Sequence, residues 1–155
     1  MADHDHAAHD DAAIERDIRA RVDASPFHSS LGISVESATE GAVTLRFEAT
    51  PAHANLHGTV HGGVIATLAD TAAGLAVRSA MADPGGAHAS VHLDVQYLAP
   101  AGTGTLRATG NVVKLGGRLA FTEATVTDEA GEVLARAQVT VALSRPTTPG
   151  DRTPQ

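Results

Sequence analysis

The sequence feature that most restricts the fold is an apolar stretch at residues 62–81. Its apolar side chains recur around most of the circumference of a helix, which predicts one long helix that is buried nearly all round. Pro84 and the two glycines after it are expected to stop this helix. The many alanines and glycines inside it permit another element to approach its backbone closely. The stretch therefore predicts a central helix wrapped by a curved sheet.

The rest of the chain alternates between apolar and polar residues, which is the pattern of half-buried strands. A short helix is predicted at 14–22 and an extended piece at 31–37, before the helix at 62–81. The predicted strands are 42–50, 90–97, 106–113, 119–127 and 133–143. The last two gaps are short enough for antiparallel hairpins. This order predicts an α+β domain with a mostly antiparallel sheet.

The length of 155 residues suits a single domain, which is predicted at 13–145. Residues 1–12 are rich in Asp and His and are predicted to be a disordered tail. Residues 146–155 contain three prolines and no apolar side chain, and are predicted to be a second loose end. The absence of cysteine excludes disulfides, thiolate metal sites and a cysteine nucleophile.

The formal net charge of -7 argues against nucleic acid as a partner, because phosphate binding requires a basic face. It also disfavours binding to an anionic membrane surface. The acidic N-terminus lacks the apolar core of a secretory signal. Asp70 and Arg78 interrupt the most apolar helix, so no membrane span is predicted. Together these features predict a cytoplasmic protein.

Asp70 lies inside the apolar helix, and no residue one turn away from it is a cation. It is about two turns past the helix start, which is too far for N-capping. A buried carboxylate without a partner is costly, so we expect it to have a catalytic function. The structural alternative is that Asp70 faces solvent or pairs with a distant arginine.

The glycines at the start of this helix suggest a second half of the site. Gly62 and Gly63 allow close approach of a ligand to backbone N–H groups that have no partner within the helix. These groups could polarise a carbonyl. From Gly62 to Asp70 the helix rises about 12 Å, whereas a reacting carbonyl must lie about 3 Å from both groups. Two antiparallel helices can satisfy both distances, which predicts a two-fold homodimer with shared active sites.

The pattern Asn55–x5–His61–Gly62–Gly63–x6–Asp70 resembles the phenylacetate-pathway (PaaI-like) hotdog thioesterases. Similarity continues through SVHLDVQYLAPAGTGTL, from Ser90, and through the closing strands, and covers residues 31–143. The resemblance implies a hotdog fold, in which a curled antiparallel sheet wraps a long helix. It implies hydrolysis of acyl-CoA to free acid and CoA, with a preference for aromatic acyl groups. It also implies that the dimers pair again into a homotetramer.

The resemblance assigns a catalytic role to five positions. Asp70 would be the nucleophile or the general base, and the backbone N–H of Gly62 would polarise the thioester carbonyl. Asn55 would position the carbonyl or the attacking water, His61 would shape the loop beside the glycine, and Ser90 would orient water.

Other residues are expected to bind the substrate. Gly63 would allow the thioester to approach, and Leu68 and Tyr97 would shape the acyl pocket. Lys114 and Arg118 flank a glycine turn and are candidates for the CoA phosphates. Three histidines recur every four residues near the central helix, but they lie in a poor helix former without an HExxH motif. No metal site and no cofactor are therefore predicted.

Two other functions remain open from the sequence. A hotdog dehydratase would use a histidine beside the acid, and the central helix carries Asp70 without one. A non-catalytic acyl-CoA-binding hotdog domain would need an attached output domain, for which 155 residues leave no room.

Overall fold

The computed structural model describes residues 11–83 and 85–144. These residues form three α-helices, a short 3-10 turn and six strands: α1 (Asp11–Ala24), α2 (Pro26–Leu31), β1 (Ser34–Thr39), β2 (Ala42–Ala49), the 3-10 turn (Pro51–His53), α3 (Gly62–Ala80), β3 (Ala87–Tyr97), β4 (Gly104–Leu115), β5 (Leu119–Asp128) and β6 (Val133–Ser144). The predicted tails lie outside the described residues, except that Asp11 and Ala12 begin α1.

The strands form one antiparallel sheet in the order β1-β2-β4-β5-β6-β3. Helix α3 packs across this sheet, and Ala72 and Ala73 on it have no exposed surface. A Cβ built at Gly110 of β4 would lie 2.3 Å from the carbonyl oxygen of Ala72. The small residues therefore let the sheet contact the helix backbone, as predicted. The α+β class and the hotdog arrangement are both confirmed.

Helix α2 is not predicted by the sequence pattern. Ser25 and Pro26 end α1 as expected, but they also begin α2, because Ser25 Oγ accepts a hydrogen bond from the His28 N–H at 3.3 Å. Gly32 ends the helix in the left-handed conformation, with φ at 69°. Six residues are too few to show helical periodicity, so the short helix leaves no signal in the apolar pattern.

Strand β3 forms one edge of the sheet, because β6 is its neighbour on one side and no described strand lies on the other. Leu93, Val95 and Tyr97 pair with buried residues of β6, so they lie on the face that carries α3. Despite this, Leu93 is 39% exposed and Tyr97 is 56% exposed. The edge strand thus presents open backbone groups beside uncovered apolar side chains.

No helix among the described residues is long and apolar enough to cross a membrane.

Candidate active site

Asp70 lies in the middle of α3, opposite the edge strand. Ser90 pairs with Val141, which is fully buried, so the serine side chain points to the helix side of the sheet. Its Oγ donates a hydrogen bond to Asp70 Oδ1 at 2.6 Å. This bond fixes the carboxylate, and no described residue donates to Oδ2. The structure therefore brings together two of the predicted site residues from different elements.

The carboxylate opens into a groove of about 260 Å³, here called the Asp70 groove. One wall comes from α3 and another from β3. The third wall is α2, which the sequence did not predict. The residues that line the groove beside Asp70 and Ser90 are Phe27, His28, Thr71, Gly74, Leu75, His88 and Ala89.

Two histidines of this groove have a pKa below the ordinary value of a histidine. Burial lowers the pKa of His88, and the positive charges of Arg78 and Arg21 lower it further, while Asp70 acts in the opposite direction. Burial also lowers the pKa of His28. A lowered pKa keeps an imidazole uncharged down to a more acidic pH. No described lysine or arginine forms an ion pair with Asp70. Its carboxylate can therefore interact with a bound molecule.

The first turn of α3 leaves one backbone donor unused. His61 is the N-cap, and its Nδ1 accepts the hydrogen bond from the Gly63 N–H at 2.9 Å. The Gly62 N–H has no hydrogen-bond partner among the described residues. Tyr97 donates from its hydroxyl to the Gly62 carbonyl at 2.8 Å, which ties the end of β3 to this turn. The free N–H at the positive end of the helix can polarise a carbonyl oxygen.

Asn55 holds the turn that leads into α3. Its Oδ1 accepts from the backbone N–H groups of His57 at 2.8 Å and of Thr59 at 3.3 Å. Its Nδ2 donates to Thr59 Oγ1 at 2.9 Å. The side chain lines a second groove, of about 340 Å³, that also contains Gly62 and Tyr97. In this arrangement the polar atoms of Asn55 are engaged within the turn.

Three of the residues expected to bind substrate lie elsewhere. Leu68 is 1% exposed and packs in the core, so the expectation that it lines the acyl pocket does not agree with its position. The sequence correctly predicts that Leu68 lies in the central helix. It does not show whether the side chain faces the sheet or the groove. Lys114 and Arg118 are exposed beside the Gly116–Gly117 turn, which adjoins Met81 just past the end of α3. Within one chain they are therefore at the opposite end of this helix from Gly62.

The sequence interpretation also missed His28, His88 and Phe27. A signal for His88 exists: it precedes Ser90 by two residues and therefore lies on the same face of the strand. The predicted strand began at 90 instead of 87, which excluded it. Phe27 and His28 depend on α2 and leave no such signal.

The histidines that recur before α3 take other roles. His53 Nδ1 accepts a hydrogen bond from the Thr50 N–H at 3.0 Å, and His61 caps α3. Within residues 11–83 and 85–144, no three His, Asp or Glu side chains are grouped so that they could hold a metal ion.

Comparison with known proteins identifies the family. Residues 57–135 match the profile described as the Thioesterase superfamily. The chain is 45% identical to a provisionally named esterase of Halobacterium salinarum over 76% of this chain and 78% of that protein. It is 34% identical to human acyl-coenzyme A thioesterase 13 over 79% of this chain and 89% of that protein.

Solved structures agree with this result. Zebrafish thioesterase superfamily member 2 superimposes with a TM-score of 0.73 at 30% identity, over 86% of this chain and 98% of that one. Escherichia coli PaaI, at 24% identity, shares the fold with a TM-score of 0.81 over 88% of this chain and 97% of that one.

The fold and these matches define a thioester hydrolase with a hotdog fold. The chain belongs to the thioesterase superfamily.

Proposed function

We propose that the protein hydrolyses acyl-CoA, with Asp70 as the catalytic carboxylate. The observation that carries this proposal is the hydrogen bond that Ser90 donates to Asp70 at 2.6 Å, which orients the carboxylate within an open groove. The relatives named as acyl-coenzyme A thioesterases support CoA as the thiol part of the substrate.

Two routes lead from this geometry to free acid and CoA. As a general base, Asp70 takes a proton from water, the water oxygen bonds to the thioester carbon, and the C–S bond breaks. As a nucleophile, a carboxylate oxygen bonds to that carbon and expels CoA thiolate, and water then cleaves the mixed anhydride. In both routes the thiolate leaves and is protonated. Single-turnover hydrolysis in oxygen-18 water tests the general-base route, because label in Asp70, which forms when water attacks the carboxyl carbon of Asp70 in the mixed anhydride, would contradict it.

The carbonyl oxygen is proposed to bind the free Gly62 N–H of a second subunit. Within one chain, Gly62 and Asp70 are eight residues apart on a straight helix, which is about 12 Å. A second copy whose β3 pairs with this β3 would cover the open edge and the exposed side chains of Leu93 and Tyr97. The site is then shared across a homodimer.

A second pairing of dimers would use the outer face of the sheet. Val113 is 65% exposed and Phe121 is 44% exposed there. Their exposure supports the proposal that this face forms contacts in a homotetramer.

Asp70→Asn tests the proposal directly. The amide keeps the size of the side chain but cannot accept the proton or attack the carbon, so we expect hydrolysis to fall about a hundredfold or more. The assay measures free thiol released from a panel of acyl-CoA substrates. Asp94→Asn is the matched control, because Asp94 is exposed on the same strand as Ser90. Near-normal turnover by Asp70→Asn would refute the catalytic assignment.

A dehydratase remains the second candidate, because the structure adds the histidine that α3 lacks. His88 and His28 both line the Asp70 groove. A dehydratase would remove water from a hydroxyacyl group and release no thiol. The same free-thiol assay therefore separates the two activities.

A further inference from the structure

We propose that Gly74 and His88 close the acyl end of the Asp70 groove and so limit the length of the acyl group that the enzyme accepts. The inference rests on the proposed function and names a specificity determinant for it.

The geometry follows from the spacing on two elements. Asp70 and Gly74 are four residues apart on α3, so they share a face and are separated by one turn, about 6 Å. Ser90 and His88 are two residues apart on β3, share a face and are about 7 Å apart. Residue numbers rise along the helix as they fall along the strand. Helix and strand therefore meet twice in succession, first at Asp70 and Ser90, then at Gly74 and His88.

A hydrogen bond closes the first meeting point, and at the second the helix and the imidazole are separated by only about the width of a methyl group. At the first, the serine hydroxyl reaches the carboxylate at 2.6 Å. At the second, a Cβ built at Gly74 would lie 3.6 Å from His88 Nε2, which is ordinary van der Waals distance. The imidazole thus occupies the space in front of the glycine, about one helical turn beyond the catalytic carboxylate.

The lining residues and the volume of the Asp70 groove suit an acyl group and not CoA. Leu75 is 7% exposed on the helix wall, and Phe27, 55% exposed, faces the groove from α2. His88 is half-buried, and its lowered pKa leaves it uncharged against an apolar chain. A volume of about 260 Å³ lies below the range for drug-sized ligands, so the much larger CoA must extend outward. The acyl group is left with the short space between Asp70 and His88.

The test is a chain-length profile. The kcat/KM for straight-chain acyl-CoA from acetyl to palmitoyl is measured by thiol release for the wild type and for variants. His88→Ala removes the barrier, so the longest substrates should gain about tenfold relative to the shortest. His88→Leu keeps a side chain of similar bulk without its polarity and should keep the wild-type length optimum. His92→Ala, on the same strand but exposed, is the matched control.

A second variant is expected to shift the preferred chain length in the opposite direction. Gly74→Ala adds a methyl group where the structure has room for one, so it should fold and shift the optimum to shorter chains. We expect about a tenfold loss for the longest accepted substrate relative to the shortest. Thermal melting of each variant shows that it is folded.

The outcomes separate this inference from the function on which it rests. A wild type that releases thiol from no acyl-CoA overturns both. A wild type that is active, with variants that keep its length optimum, overturns only the role of Gly74 and His88. A loss of activity that is equal at every chain length in both His88 variants also overturns it, because a proton carrier or a structural residue would behave in that way.

Discussion

Gly62 carries the proposed oxyanion donor on its backbone N–H, and it lies close to the side chain of Tyr97. A Cβ at this position would meet the ring of Tyr97 at 3.3 Å. The preceding residue, His61, has ψ at 134°, which is the conformation that a following proline requires. Proline is also well accepted at the first position of a helix. The N–H can therefore be removed here without breaking α3.

Gly62→Pro is expected to lower kcat about a hundredfold, because it deletes the proposed donor to the thioester oxygen. Gly62→Ala places the same Cβ against Tyr97 but keeps the N–H, so it serves as the control. Steady-state hydrolysis and circular dichroism of both variants check the prediction. Equal losses in the two variants would assign the effect to crowding and not to the missing donor.

Ser90 offers a second test at this scale. Ser90→Ala removes the hydrogen bond to Asp70 Oδ1, and a bond to a charged group is worth about 1.5–3 kcal/mol. We expect kcat to fall about tenfold to a hundredfold with the fold intact. Ser90→Thr, which keeps the hydroxyl, should retain more activity than Ser90→Ala. The reverse order would contradict the orienting role.

Several of these residues could be found from the sequence and others could not. Asp70 is conspicuous because a carboxylate interrupts an apolar helix, and Gly62 because it starts that helix. Ser90 entered only through the family resemblance. The partnership between His88 and Gly74 is invisible in the sequence, because it arises where a strand crosses a helix after the chain has folded.

At the scale of elements, the contact between α3 and β4 fixes the curvature of the sheet. Gly110 lies directly over the helix backbone, and a Cβ there would overlap the Ala72 carbonyl. The helix was predicted almost to its ends because its apolar pattern runs for five turns. Strand β3 was predicted three residues short, and the predicted strand contains a bulge between Ser90 and His92 that the sequence pattern does not show.

Gly110→Ala should therefore destabilise the fold by about 1–3 kcal/mol, since the methyl group has no space. Gly102→Ala is the control, because a Cβ there meets nothing within 4 Å. Urea denaturation measures the free energy of unfolding of both variants. Similar stability for the two would show that the sheet can move away from α3 at little cost.

At the scale of the whole molecule, the proposed sharing of the site between two subunits predicts complementation between inactive subunits. A mixed dimer of Asp70→Asn and Gly62→Pro chains contains one doubly damaged site and one intact site. We expect it to recover about half of the wild-type activity, whereas each homodimer stays inactive. Co-expression with two affinity tags isolates the mixed species. No recovery from folded mixed dimers would place both groups in a single chain.

The hydrogen bond from Tyr97 to the Gly62 carbonyl has one more consequence. Tyr97 ends the same edge strand that we propose to pair with a second copy, so the strand joins the subunit boundary to the turn that presents the oxyanion donor. Separating the subunits would then loosen that turn as well as remove its partner carboxylate. Turnover per chain should drop on dilution while each protomer is still folded.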